Sequence, residues 1–190
     1  MTEEEMRETQ LSTEEIFKGR VVHLIRDTVR LPDGRTSTRE VIRHPGGVGI
    51  LPLMPDGTVL TVRQFRYPGG EVLTEIPAGK LEYGEDPLAC GKRELSEEVG
   101  AEAENWTFLG NVYPTPAYDT EIIRVYLATG LSFGSQHLDP GQIQNVVPVP
   151  LSDLYRAIMN GEIPDAKTQI GVLKTVCLAW EGKLPVKIEL

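Results

Sequence analysis

One segment in the middle of the chain restricts the possible folds more than any other, because it favours a helix between segments that favour strands. Pro87 suits the first position of a helix, where its missing N–H would have no partner, and Gly100 suits the position after the last turn. Leu95 and Val99 are spaced so that they lie on one face of that helix. The sequence therefore predicts a helix over 87–99 with one buried face.

The segments on both sides of this helix have the composition of strands. Before it, β-branched and apolar runs are separated by turns, and the predicted strands cover 21–29, 36–42, 48–53, 58–65 and 71–77. After it, the predicted strands cover 107–112, 122–128 and 144–150, and the predicted helices cover 151–159 and 165–180. An order of strands, one helix, more strands and two helices predicts an α+β domain built in layers.

Size and charge exclude several classes of protein. A chain of 190 residues that is 40% hydrophobic can bury one continuous core. Its apolar runs are too short and too often broken to cross a membrane. A net charge of -9 opposes the binding of nucleic acid, which needs clustered Lys and Arg. Residues 1–15 are acidic and lack the apolar core of a secretory signal, so we expect a cytoplasmic protein.

Three glutamates of the predicted helix indicate a chemical role. Glu94, Glu97 and Glu98 stand at i, i+3 and i+4, so their carboxylates project from one helix face and would repel one another. Oxygen ligands of this kind suit hard cations such as Mg²⁺, and Arg93 can orient one of the carboxylates. A solvated acidic face is the alternative, and the helix by itself does not decide between the two.

The spacing of the residues around these glutamates does decide. It runs from a glycine before the helix to a small residue after it, and the fixed positions hold Gly79, Glu85, Arg93, Glu94, Leu95, Glu97, Glu98, Gly100 and Ala101. This pattern resembles the signature box of the Nudix family, and the resemblance extends to the flanking strands and helices. It implies an α+β fold of the α/β/α sandwich type, the Nudix fold, with an N-terminal β-hairpin extension. The chain would then consist of an N-terminal tail and hairpin at 1–45 and a Nudix domain at 46–190.

The resemblance also implies a metal site and a reaction. The cofactor would be Mg²⁺, with Mn²⁺ as an alternative, and the ligands would be Glu94, Glu97, Glu98 and the backbone carbonyl of Ala78. The three glutamates together with Arg93 would form the catalytic group. Cations bound to a pyrophosphate neutralise the charge of the transition state and lower the pKa of an attacking water. The implied reaction is therefore hydrolysis of a pyrophosphate bond.

Segments outside the box resemble the ADP-ribose pyrophosphatase branch of the family. They lie at 63–67, 75–79, 113–118 and 161–168, and the third contains a proline where that branch has a marker proline. The implied substrate is ADP-ribose, which would be cleaved to AMP and ribose 5-phosphate. The implied substrate-binding residues are Arg63, Arg66, Glu75, Pro116 and Glu121. The two arginines fit surface charges equally well.

A lysine near the C-terminal end of the chain allows two interpretations. Lys167 stands in the first turn of the predicted helix at 165–180, within one of the segments that resemble this branch. Its ammonium group could reach a phosphate of the substrate. A lysine at such a position is more often exposed to solvent, and the sequence leaves both interpretations open.

One loop departs from the pattern of that branch. Relatives carry glutamates before the last strand, one of which is their supposed general base, whereas this chain has Gln142, which cannot accept a proton from water at neutral pH. The base would then be Asp139 of the same loop or Glu97 of the box, with Glu97 as the first choice. The departure also leaves another nucleoside diphosphate sugar, such as GDP-mannose, as an alternative substrate. A non-catalytic, nucleotide-sensing Nudix domain is a further alternative.

The N-terminal hairpin bears on assembly. In the resembled branch this part exchanges between two subunits and completes the partner's substrate site, so the resemblance implies a homodimer formed through residues 21–42. The expected partners are therefore a second copy of the chain and a nucleoside diphosphate-linked small molecule, with no nucleic acid and no membrane. The same apolar strands can also pack within one chain.

Overall fold

The computed structural model describes residues 1–134 and 145–184. The strands in these ranges are β1 (Thr9–Lys18), β2 (His23–Arg30), β3 (Thr36–Ile42), β4 (Gly47–Pro52), β5 (Thr58–Arg66), β6 (Glu71–Glu75), β7 (Ala78–Lys80), β8 (Ala101–Val112), β9 (Ile123–Phe133) and β10 (Asn145–Pro150). The helices are α1 (Glu3–Met6), α2 (Pro87–Val99), α3 (Leu151–Met159) and α4 (Ala166–Trp180). Asp139 and Gln142, on which the expectation about the general base depends, lie outside the described residues. Of the described helices, none has the length and apolar character that crossing a membrane requires.

The chain divides into two compact units, one of residues 1–46 with 113–122 and the other of residues 47–112 with 123–190. In the first unit, β1, β2 and β3 form an antiparallel sheet in that order. The predicted N-terminal hairpin is confirmed as β2 and β3, which pair along their length. The later segment joins this unit through the backbone of Ile42, whose N–H donates to the carbonyl of Tyr118 at 2.7 Å.

Strand β1 is absent from the sequence-based prediction, which treats the residues before position 21 as a tail. All ten residues of β1 are exposed, so the strand has no buried face to produce an alternation of apolar and polar side chains. Bulges between Gln10 and Ser12 and between Glu15 and Phe17 interrupt its register with β2. The strand is therefore defined by its backbone pairing and not by its side-chain pattern.

The second unit contains two sheets. Three strands pair in the order β10-β5-β6, and four strands pair in the order β7-β4-β9-β8. In the four-stranded sheet β4 and β9 are parallel and central, and the edge strands β7 and β8 run antiparallel to them. Several strand boundaries in this sheet differ from the prediction, and β9 continues to Phe133 where the prediction ends at residue 128. β7 is too short to show a pattern, and β8 begins directly after Gly100 because its polar first half belongs to an edge strand, which tolerates polar side chains.

Alternation along β4 determines which helices cover each face of the four-stranded sheet. Val48 and Ile50 belong to a buried cluster that includes Leu95 of α2. Leu51 belongs to a second buried cluster that includes Val172 of α4 and the buried residues of α3. Successive side chains of a strand point to opposite faces, so the sheet lies between α2 on one side and α3 with α4 on the other. The expected α/β/α sandwich is confirmed.

Helix α2 begins and ends where the sequence predicts. The Asp86 Oδ1 atom accepts a hydrogen bond from the Ala89 N–H at 2.9 Å, and Pro87 is the first helical residue. Gly100 ends the helix with a φ of 69°, a left-handed conformation that glycine adopts with little strain. The rotation of the helix is fixed by Leu95, which is fully buried. These features determine where the glutamates of α2 point.

The second cluster should carry much of the stability of this unit. Leu51 is fully buried, so Leu51→Ala should lower the free energy of unfolding by about 2–5 kcal/mol, through lost burial and the cavity left behind. Met159→Ala is the matched control because Met159 is 63% exposed, and its effect should stay within about 0.5 kcal/mol. Chemical denaturation followed by circular dichroism measures both, and equal losses would contradict the assignment of the core.

Candidate functional site

The acidic face of α2 is partly buried. Glu98 is 2% exposed and Glu94 is 7% exposed, whereas the side chain of Glu97 is 33% exposed. A buried carboxylate is unfavourable unless hydrogen-bond donors or cations surround it. The neighbouring residues must therefore supply such partners.

Arg93 supplies several of them. Its Nη1 atom donates to Glu94 Oε1 at 2.7 Å and to Glu97 Oε2 at 3.1 Å. Its Nε and Nη2 atoms donate to the two oxygens of Glu85 at 3.2 and 3.3 Å. Burial alone would lower the pKa of Arg93, but the hydrogen bonds to Glu85 and Glu94 raise it above its ordinary value. One guanidinium group thus connects three carboxylates of the box and stays charged.

Glu85 and Cys90 complete the surroundings of this guanidinium group. The hydrogen bond from Arg93 and the backbone N–H of Glu82 hold the pKa of Glu85 below its usual value. Burial raises the pKa of the Cys90 thiol to about 12, so the thiol is neutral at physiological pH. Its sulfur accepts from Arg93 Nη2 at 3.3 Å and donates to the Lys80 carbonyl at 3.7 Å. Cys90 therefore borders the site as a neutral thiol.

The backbone of β7 contacts the two buried glutamates. The N–H of Ala78 donates to Glu98 Oε2 at 3.0 Å. A Cβ atom added at Gly79 would lie only 1.9 Å from the carboxylate carbon of Glu94, so no larger residue fits there without displacing that side chain. Glycine at this position of the box thus leaves room for the Glu94 carboxylate against the strand.

The donor set of this face suits a hard divalent cation. All its side-chain donors are carboxylate oxygens, and Glu94 and Glu98 lie one helical turn apart beside the backbone of Ala78. In the described part of the chain, no group of three or more His, Cys, Asp or Glu side chains is already gathered around one point. The carboxylates contact Arg93 and the Ala78 N–H instead, so cation binding would require them to exchange some of these partners.

A second charged cluster lies at the N-terminal end of α4. Arg66 donates from Nε and Nη2 to the two oxygens of Glu75 at 2.7 and 2.6 Å, a bidentate pair. The ammonium group of Lys167 contacts Glu75 and also Asp165, the latter at 2.9 Å. Burial alone would raise the pKa of Glu75, but the hydrogen bonds and charges of Arg66 and Lys167 hold it below its ordinary value.

Lys167 does not lie in solvent, although a lysine in the first turn of a helix is more often exposed. It is 7% exposed because Glu75 and Asp165 compensate its charge within the fold. Glu75 and Lys167 are far apart in the sequence, so no local sequence pattern predicts that they pair. Thr168, to which the sequence assigned no role, is fully buried beside it.

The register of β5 separates the two arginines of the predicted substrate site. Arg63 pairs with Thr74 of β6, and Arg66 pairs with Glu71. Residues an odd number apart on a strand point to opposite faces, so Arg66 shares the face of Glu75 while Arg63 is exposed on the other face. The side chains of the two arginines therefore lie on opposite faces of this sheet.

The remaining predicted substrate residues belong to the other unit. Pro116 is exposed in a turn of the segment 113–122. The Glu121 N–H donates to Asp119 Oδ1 at 2.8 Å, and Glu121 Oε1 lies 3.6 Å from Nδ1 of His44. His44 had no role assigned from the sequence. Within this unit the histidine and the glutamate form one local cluster.

Matches to known protein families together cover residues 8–168 of this chain. Residues 43–168 match the family described as NUDIX domain. Residues 8–42 match the family described as nucleoside diphosphate sugar hydrolase N-terminal domain. The second match covers β1 as well as the predicted hairpin.

The chain is similar to several known proteins along most of its length. A methanol dehydrogenase activator from Bacillus methanolicus is 41% identical over 167 residues, which are 87% of this chain and 90% of that protein. An ADP-ribose pyrophosphatase from Bacillus subtilis strain 168 is 37% identical over 169 residues, 88% of this chain and 91% of that protein. An ADP-ribose pyrophosphatase from Mycobacterium tuberculosis strain H37Rv is also 37% identical, over 86% of this chain and 80% of that protein.

A solved structure agrees with the fold. The crystal structure of an ADP compounds hydrolase superposes with a TM-score of 0.82 at 21% identity, covering 94% of this chain and 98% of that chain. At this level of identity the similarity concerns the arrangement of the backbone.

The close approach of Glu94 to β7 gives a testable prediction. Gly79→Ala should lower the free energy of unfolding by about 1–3 kcal/mol, because the new methyl group overlaps the Glu94 carboxylate and forces it to move. Gly134→Ala is the control, since a Cβ atom there meets nothing within 4 Å. Thermal and chemical denaturation give both values, and a Gly79→Ala protein as stable as the control would contradict the described geometry.

Proposed function

We propose a function on the premise that this chain belongs to the Nudix family, which the match over residues 43–168 shows. The chain is a Nudix pyrophosphohydrolase, and its substrate is ADP-ribose, which it hydrolyses to AMP and ribose 5-phosphate. The observation that carries the choice of substrate is the 37% identity to two ADP-ribose pyrophosphatases over most of the chain. The intact acidic face of α2, with Glu94 and Glu98 buried against β7, supports a catalytic and not a purely sensing role.

Nudix hydrolases generally use divalent metal ions, and we assign the ligands in this chain to the acidic face of α2. The ligands are Glu94, Glu97, Glu98 and the carbonyl of Ala78, and the ion is Mg²⁺ with Mn²⁺ as a substitute. Such an ion, when bound, supplies charge neutralisation at the pyrophosphate and a lowered pKa for the attacking water. Arg93 positions the glutamates, because it holds the carboxylates of Glu94 and Glu97 through one nitrogen.

Glu97 is the proposed general base. Its side chain is 33% exposed, compared with 9% for that of Glu94, so water reaches it more easily. A carboxylate accepts a proton from water most effectively when it lies within hydrogen-bond reach of that water. The accessible position of Glu97 on the same face as Glu94 and Glu98 supports this role.

Arg66 is the proposed anion contact of the second unit. Its side chain is 42% exposed while Glu75 holds two of its nitrogens, so the guanidinium group is oriented before any ligand arrives. Glu75 is 1% exposed, so its contribution to substrate binding is to orient Arg66 and not to touch the ligand. Contacts of Arg63, Pro116 and Glu121 with the substrate rest on the family resemblance.

A homodimer formed through the N-terminal sheet is part of this proposal. β1 exposes Leu11, Ile16 and Phe17 at 45%, 39% and 56%, a concentration of apolar side chains that a monomer would leave in water. Residues 8–42 also match a domain of nucleoside diphosphate sugar hydrolases. A second copy of the same sheet would cover these side chains.

Two alternatives are favoured by specific matches. The name of the N-terminal domain family favours another nucleoside diphosphate sugar, such as GDP-mannose, as the substrate. The similarity to a methanol dehydrogenase activator favours action on a partner dehydrogenase. If stimulation of a dehydrogenase persists in a variant that cannot hydrolyse ADP-ribose, that action is separate from hydrolysis.

The proposed reaction predicts a metal-dependent activity that one carboxylate controls. Purified protein with Mg²⁺ should release AMP from ADP-ribose faster than it cleaves GDP-mannose or UDP-glucose, and a chelator should stop the reaction. Glu98→Gln should lower kcat/KM by about 100-fold or more, because a neutral amide is a poorer ligand. Glu102→Gln, which alters an exposed carboxylate on β8, is the matched control. Faster cleavage of GDP-mannose would favour the first alternative, and no cleavage by the wild type would contradict the proposal.

The proposed dimer predicts a mass and a variant that changes it. Light scattering should give twice the mass of one chain. Phe17→Asp places a charge among the exposed apolar side chains of β1 and should shift the protein towards the monomer. Met159→Asp, which changes another exposed apolar residue outside this sheet, should leave the mass unchanged. A wild-type monomer at micromolar concentration would overturn the proposed assembly.

A further inference from the structure

The first turn of α4 holds the segment that leads into β7. The hydroxyl group of Thr168 accepts the N–H of Ile76 at 2.9 Å and is itself bonded to Asp165 Oδ2 at 2.5 Å. The ammonium group of Lys167 contacts Glu75, the residue before Ile76. Two adjacent residues of α4 thus bind two adjacent residues of the segment, one through a hydrogen bond and one through an ion pair.

Packing strengthens this attachment. Ile76 is fully buried, and its Cδ1 atom would lie 3.2 Å from a Cβ atom at Gly49 of β4 and 3.3 Å from one at Gly171 of α4. These distances are shorter than ordinary van der Waals contact, so a larger residue at either glycine would require Ile76 to shift by a few tenths of an ångström. The segment is therefore held between the sheet and α4 at Ile76.

The same segment reaches the acidic face of α2 two residues later. The Ala78 N–H donates to Glu98 at 3.0 Å, and the absence of a side chain at Gly79 accommodates Glu94. The position of these backbone groups along the sheet is fixed on one side by the pairing of β7 with β4. The contacts of Glu75 and Ile76 with α4 fix the position of the chain where it leads into β7.

We propose that Thr168 and Lys167 are positioning residues for the metal site, acting through the Glu75–Gly79 segment on Glu98 and Glu94. This inference rests on the proposed function only in requiring that the acidic face binds a divalent cation. Mg²⁺ needs near-ideal octahedral geometry, so a small displacement of the Ala78 backbone and of the carboxylates it contacts weakens binding. Residues that orient the metal ligands generally influence the affinity for the metal ion for this reason.

Three variants of threonines on one helix test the role of the hydroxyl group. Thr168→Val keeps the shape but leaves the Ile76 N–H without its acceptor, whereas Thr168→Ser keeps the hydroxyl. Thr175→Val is the matched control, because Thr175 is also fully buried but its hydroxyl bonds to the Gly171 carbonyl of its own helix at 2.8 Å. Binding of Mn²⁺ is measured without substrate, by calorimetry, on protein whose folding is checked by circular dichroism.

Thr168→Val should weaken Mn²⁺ binding about 10-fold, and Thr168→Ser should restore most of the affinity. In turnover, Thr168→Val should lower kcat and leave KM for ADP-ribose within a factor of about two, because the metal site and not the nucleotide contact has moved. Thr175→Val should lower the melting temperature but leave Mn²⁺ affinity unchanged. Wild-type affinity in Thr168→Val, or an equal loss in Thr175→Val, would overturn the proposal.

The wild-type protein provides a second test that needs no variant. Coupling between two sites is reciprocal, so if α4 supports the metal site, then metal binding should stabilise the first turn of α4. Mn²⁺ should slow amide hydrogen exchange in peptides covering 166–172 as well as in those covering 75–80. Slower exchange in the second set alone would contradict the proposal. Mn²⁺ binding with this pattern but without cleavage of ADP-ribose would contradict the proposed substrate and support the positioning role.

Discussion

Glu94 and Glu98 are buried on one face of α2, and the surrounding residues of the second unit must compensate their charge. Two like charges one turn apart are unfavourable, and burying them is more so unless donors surround them. Arg93 supplies charge on one side, and the Ala78 N–H supplies a donor on the other. Gly79 lets the helix and strand approach closely enough for these contacts. A cation bound among the carboxylates, as proposed above, would relieve the repulsion between them.

The sequence predicts this part of the fold well because its determinants are local. Pro87 and Gly100 delimit α2 through backbone preferences of single residues, and the order of strands and helices along the chain predicts a layered fold. The spacing of the glutamates predicts that they share a face, which needs only helical geometry. The contacts of Arg93 with Glu85 and Glu94 follow from the same short segment of chain.

Other features depend on contacts that no local pattern records. β1 is an exposed strand whose side chains show no alternation, so only its pairing with β2 reveals it. The helical position of Lys167 favours an exposed side chain, whereas in the fold its ammonium group contacts Glu75, which is distant in sequence. The spacing of Arg63 and Arg66 on β5 places them on opposite faces of the sheet, although the family resemblance assigns both to one substrate site. The contact between Lys167 and Glu75 joins segments distant in sequence, and their meeting requires the complete fold.

We propose that the acidic face of α2, together with the backbone of β7, forms the metal site of this hydrolase. Anomalous diffraction from crystals grown with Mn²⁺ tests it directly, because the ion is located without reference to activity. The account predicts a peak among Glu94, Glu98 and the Ala78 carbonyl, at about 2.1 Å from the nearest oxygens. Ordered Mn²⁺ bound elsewhere, or no peak at saturating Mn²⁺ with Glu98 still bonded to the Ala78 N–H, would contradict it.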